Sequence, residues 1–143
     1  MSPSVVAPET LAAVQQLYGE QSHLIDEGHA RDWALTFTTD GEFVSPSYPA
    51  PVTGTDALTA FAERFAADAR ARGEVTRHVL TNLFVRSAGE RHATVQAYLQ
   101  IVTTPRGEPS RLVRQTTITD DLVQCGDGWR IRRRVVRRDD QPQ

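Results

Sequence analysis

His78 and Asn82 stand four residues apart in residues 75–86, a run in which side chains alternate with the period of a strand. On such a strand His78, Leu80, Asn82 and Phe84 share one face, and Val79, Thr81, Leu83 and Val85 share the other. An imidazole and a carboxamide projecting into one pocket would suit proton transfer and the orientation of a substrate oxygen. The Val79 face is the more apolar, so the pattern leaves the interior face open. A His hydrogen-bonded at the edge of the core is the plain alternative.

Two further residues are out of place for a simple amphipathic helix. At about 100° per residue, Gln21 falls near the centre of an apolar stripe, where its amide needs a partner, a water or a ligand. Asp26 falls at the stripe's edge in the last turn, where a carboxylate opposes the helix dipole. Exposure to solvent is the ordinary reading of Asp26, and a functional site is the other. In residues 93–103, Tyr98 and Gln100 sit on a half-polar face that suits solvent, a subunit interface or a wet pocket.

Composition removes several classes of chemistry. All 16 basic residues are Arg, so a Schiff-base lysine and a phosphate loop with its lysine are both excluded. Cys125 is the single cysteine, which excludes an intramolecular disulfide and a multi-cysteine metal site, and its role stays open. His23, His29 and His92 form no metal-ligand spacing with a carboxylate, so no metal site is expected. A formal net charge of −2 gives no overall attraction to nucleic acid or anionic membrane. The arginines between Arg130 and Arg138 interleave with Trp129, Ile131, Val135 and Val136, which reads as a solvated or paired strand face rather than a nucleic-acid patch. Asp120 or Asp121 is the expected cross-strand partner. Residues 1–8 lack the basic and apolar regions of a signal peptide, and no stretch reaches the ~20 apolar residues of a membrane span, so a cytoplasmic protein is expected.

The elements that must carry these residues follow from period and punctuation. With 143 residues, 39% hydrophobic and 24% charged, the chain suits one domain over residues 1–143, with a core of about 8–138 and frayed ends. Residues 8 to about 27 read as a helix with Leu11, Val14, Leu17, Tyr18, Leu24 and Ile25 inward, Pro8 in its first turn and Gly28 as its stop. A short helix over residues 32–37 would pack Trp33 against Phe37, with a turn at Asp40-Gly41, a short strand over residues 42–45 and a Pro-rich loop carrying Tyr48. Thr55 is the candidate N-cap of a third helix that ends before Gly73. Strands over residues 75–86, 93–103, 111–124 and 129–136 complete an α+β domain with helices on one face of an antiparallel sheet.

The chain resembles the SnoaL-like polyketide cyclase and dehydratase family of the nuclear transport factor 2-like superfamily over nearly its whole length. The resemblance rests on residues 26–33, residues 37–43, Gly54, Arg77-His78 with Asn82, Asp120-Asp121-Leu122-Val123, residues 128–131 and Arg134. It implies a cone-shaped α+β barrel in which a strongly curved, mostly antiparallel sheet and N-terminal helices enclose an apolar pocket, often in a homodimer packed through the sheet. In similar dehydratases an Asp near the end of the first helix and a His on the first long strand move protons, and these match Asp26 and His78. Some relatives carry a Tyr where this chain has Gln21, and an acidic residue or His on the strand where it has Tyr98 and Gln100.

The resemblance therefore implies an enzyme of secondary metabolism, such as antibiotic biosynthesis, that cyclises, dehydrates or isomerises a polyketide-like molecule without a cofactor. The expected catalytic pair is Asp26 and His78, and the expected substrate contacts are Gln21, Tyr18, Trp33, Tyr48, Asn82 and Tyr98. Family members outside catalysis imply the alternative, a non-catalytic small-molecule-binding or accessory protein. No nucleic-acid or membrane partner is expected.

Overall fold

The structure, a computed structural model, describes residues 6–141. Of the ends expected to fray, residues 1–7 and 139–143, residues 1–5 and 142–143 lie outside the described residues. Helix α1 spans Pro8–Asp26, α2 Ala30–Ala34 and α3 Thr55–Ala71. Strands β1 (Phe37–Val44), β2 (Val52–Thr53), β3 (Glu74–Ala88), β4 (His92–Pro105), β5 (Arg111–Cys125) and β6 (Gly128–Arg138) form one sheet in the order β2-β1-β6-β5-β4-β3. Every neighbouring pair is antiparallel except β1 with β6. The sheet is mixed and does not close on itself, so the expected barrel is an open, helix-covered sheet.

Alternation buries Val14, Leu58, Val95, Ile118, Leu122 and Ile131 between the helices and the sheet. No described helix is long and apolar enough to cross a membrane.

Three local details differ from the expectation and all bear on the site. Residues 36 and 37 leave the helix early: α2 ends at Ala34, and Phe37 opens β1 while still packing edge-on against Trp33 at 5.1 Å. Asp40-Gly41 is not a turn but part of β1, whose register against β6 shifts between Phe37 and Glu42. A Cβ at Gly41 would lie 2.7 Å from Phe37 Cβ and 2.9 Å from Thr38 O, so the irregular strand closes on itself there. Gly54, at φ 90°, occupies the N-cap of α3 in place of Thr55, which is the first helical residue.

Two bulges reset which residues face inward. Between Thr81 and Phe84 of β3, Asn82 and Leu83 stand opposite the single residue Ala97, and Asn82 takes φ 56°. The alternation flips, so that His78 and Leu80 point inward before the bulge and Leu83 and Val85 after it. In β6, Leu122 pairs with Ile131 and Asp121 with Arg133, leaving Arg132 as the extra residue. Ile131 and Arg134 are thereby both buried, three residues apart.

Candidate functional site

Asp26 owes its place to the way α1 stops. Gly28 adopts φ 82°, its N–H donates to Ile25 O at 3.3 Å, and the N–H of His29 donates to Leu24 O at 2.8 Å. This is the left-handed glycine stop of a Schellman motif. It leaves Asp26 in the last helical turn, facing β3.

There both carboxylate oxygens accept the His78 backbone N–H, at 3.1 and 3.0 Å, and Oδ1 lies 2.6 Å from the ring Nδ1. A carboxylate only accepts, so its contact assigns the ring hydrogen to Nδ1 and leaves Nε2 available to a ligand. The pair is well covered, with side-chain exposures of 13% for His78 and 6% for Asp26. Phe65 of α3 tilts against the imidazole at 5.1 Å and further limits its rotation.

His78 lines a cavity enclosing about 650 Å³ of space, its open mouth included. Asp26 lies behind the imidazole, outside that lining. One wall is aromatic: Phe61 meets Trp33 at 5.8 Å, Phe43 at 5.1 Å and Tyr48 at 5.0 Å. The opposite wall is Leu80, Leu99, Ile101, Thr116 and Val136 from the sheet. Gln21 enters from α1, and Arg114, Arg134 and Arg138 from β5 and β6.

Arg134 does not come as a loose cation. Its Nε and Nη2 donate to the two oxygens of Asp120 at 2.9 and 2.8 Å, and Tyr18 donates its hydroxyl to the same carboxylate. All three residues are buried. Burial first, and then the Asp120 charge, hold the Tyr18 phenol well above its ordinary value, so it remains a donor. Burial opposes the charge on Arg134, but the Asp120 carboxylate outweighs it and raises that guanidinium above its ordinary value.

The expected site residues thus separate. Gln21, Trp33, Tyr48 and His78 line one cavity, with Asp26 bonded to His78 from behind. Tyr18 does not line that cavity, and its hydroxyl is committed to Asp120. Asn82 and Tyr98 also lie outside that lining. The β3 bulge turns Asn82 out to solvent, and Tyr98 alternates with buried Ala97 and Leu99 and is 49% exposed on the outer face.

Phe43, Phe61, Phe65 and Arg134 belong to the cavity without having been anticipated. The arginine read as part of a solvated or paired strand face, because the β6 bulge is invisible in the alternation. The expected cross-strand pairing with Asp120 is made by Arg134, while Arg130 pairs with Asp127, Arg133 with Glu42 and Arg138 with Asp140. Among the described residues no three His, Cys, Asp or Glu side chains converge as a metal site.

Comparison with known proteins places this geometry. The SnoaL-like domain family matches residues 8–135. The search of curated proteins finds no match. Among solved structures, ActVI-ORFA from Streptomyces coelicolor is 30% identical, with TM-score 0.80 over 90% of this chain and 96% of that one. A Catenulispora acidiphila protein solved in complex with S-DNPA is 27% identical, with TM-score 0.80 over 93% of this chain and 96% of that one. An NTF2-like protein with a cystatin-like fold from Novosphingobium aromaticivorans, 20% identical with TM-score 0.83 over 94% and 84%, shares the fold. The match along residues 8–135 settles the family: the chain belongs to the SnoaL-like family.

Proposed function

We propose that the protein is an enzyme of secondary metabolism that cyclises, dehydrates or isomerises a polyketide-like molecule by acid–base chemistry at His78. The observation that carries this reading is the 2.6 Å bond between Asp26 and His78 Nδ1 at the edge of a largely apolar cavity. Membership of the SnoaL-like family, whose fold is related to that of polyketide cyclases, supports it. So does a relative solved in complex with S-DNPA.

Asp26 acts as the positioning residue, holding the Nδ1–H form so that Nε2 takes a proton from the substrate. The imidazolium that forms is stabilised by the carboxylate behind it, and the apolar walls strengthen that attraction. In a dehydration the electron pair of the broken C–H bond forms the double bond as hydroxide leaves. Nε2 then returns its proton to the hydroxide as water. In an isomerisation the proton returns to another carbon as the double bond shifts, and in a cyclisation Nε2 takes the proton of a hydroxyl whose oxygen adds to a carbonyl carbon of the same molecule, then delivers it to the carbonyl oxygen that receives the π electron pair. Gln21, Trp33 and Tyr48 hold the substrate.

The test is conversion of the intermediate that accumulates when the gene is deleted. Purified wild type should convert it, and His78→Gln should be slower by at least about two orders of magnitude. Full complementation of the deletion by both His78→Gln and Asp26→Asn would return the protein to the accessory, non-catalytic reading.

The proposal extends to a cytoplasmic homodimer packed through the outer face of the sheet, where Phe84 and Tyr98 are half-exposed. Sedimentation of Phe84→Asp and Tyr98→Asp should show monomers where wild type is dimeric.

A further inference from the structure

Gln21 Oε1 is the one buried side-chain polar atom among the described residues that has no hydrogen-bond partner. The residue is 1% exposed and lines the cavity from α1. Which end of its amide is left without a partner is decided by a chain of two side-chain hydrogen bonds. Thr36 Oγ1 lies 2.6 Å from the Trp33 carbonyl oxygen, and a carbonyl has no hydrogen to give, so the Thr36 hydroxyl donates there. Thr36 Oγ1 is then an acceptor for Gln21, 2.8 Å away, and only Nε2 can donate to it. The backbone holds this chain in place: Thr36 N–H also donates to Trp33 O, and Ile131 N–H donates to Thr36 O at 2.9 Å. Oε1 is left as a fixed acceptor that asks for a donor.

We propose that Gln21 Oε1 recognises a hydroxyl on an aromatic ligand, making a phenol or enol O–H a specificity requirement of this site. The aromatic part follows from the facing rings of Trp33, Phe43, Tyr48 and Phe61. The proposal deepens the reading of the cavity as a small-molecule site and is independent of whether His78 moves a proton. A ligand ether or carbonyl at that place would present a second acceptor to Oε1 and leave both unpaired.

The test compares two probes by isothermal titration, 2-naphthol and 2-methoxynaphthalene, which differ in the O–H alone as a donor. Wild type should prefer 2-naphthol by at least about ten-fold. In Gln21→Met, which keeps the length and removes the acceptor, the two affinities should come within two-fold of each other. Thr36→Val, which frees the amide to rotate, should reduce the preference below about three-fold and serves if Gln21→Met fails to fold. Equal affinities in wild type would show Oε1 satisfied without the ligand and overturn the proposal. An undiminished preference in the folded variants would overturn it as well. No binding of either probe at millimolar concentration would overturn it together with the cavity reading, whereas binding without discrimination would count against Gln21 alone.

Discussion

Replacing Arg134 with Met should be among the most damaging single changes in this fold. The guanidinium and the Asp120 carboxylate are 4% and 0% exposed and joined by two bonds of 2.9 and 2.8 Å, with the Tyr18 hydroxyl as the other partner of the carboxylate. Met keeps much of the stem volume but leaves a buried charge with one neutral donor. Breaking such a pair on one side costs about 3–5 kcal/mol. For a domain of this size each kcal/mol lowers Tm by about 3–4 °C, so a fall of roughly 10–20 °C is expected. The triple variant Tyr18→Phe, Asp120→Leu, Arg134→Met removes all three polar groups at once and should recover to within about 2 kcal/mol of wild type, since a packed apolar set avoids the desolvation cost. Thermal unfolding followed by circular dichroism at a single pH measures both. A fall of less than about 3 °C in Arg134→Met, or a triple variant less stable than the single one, would refute the account of this network.

Three further outcomes follow from the same structure. Because the Tyr18 phenol is raised above 10.0 in the folded state, that state retains its proton where the unfolded chain loses it. The stability it contributes is complete below that value and is lost as pH rises through the folded one, so between about pH 9 and 11 wild-type Tm should fall more steeply than that of Tyr18→Phe; parallel curves would count against the buried phenol. Gly41→Ala places a Cβ against Phe37 Cβ and Thr38 O and should destabilise by about 1–3 kcal/mol in urea titration, whereas an unchanged midpoint would contradict the close approach in β1. A nitrogen-15 histidine spectrum should show His78 in the Nδ1–H form, and Asp26→Leu should release that preference; an Nε2–H form in wild type would contradict the assignment.

Much of this architecture was legible because two periods dominate the chain. The stripe of Val14, Tyr18, Gln21 and Ile25 marks α1, and the alternation of Ala93, Val95, Ala97 and Leu99 marks the inner face of β4. The buried position of Gln21 was legible for the same reason, and the carboxylate of Asp26 was conspicuous as a poor choice for a last helical turn. Its bond to His78 spans 52 residues, and no local pattern encodes it. Asn82 and Arg134 show where such reading ends. A bulge is set by how one strand pairs with the next, so the bulges near Asn82 and at Arg132 invert the inward face without altering the sequence pattern. Phe37 misled for a related reason, since its i+4 spacing to Trp33 is that of a helix although the contact is made from the first residue of β1.

The central claim is that His78 moves a proton while Asp26 holds it in place. A single-turnover comparison of wild type, His78→Gln and Asp26→Asn, each folded by circular dichroism, against the intermediate that accumulates in the deletion strain tests it most directly, with binding measured separately. The expected result is binding within a few-fold of wild type in all three, with conversion reduced at least about 100-fold in His78→Gln and by a smaller factor in Asp26→Asn. Conversion by His78→Gln at the wild-type rate would contradict it.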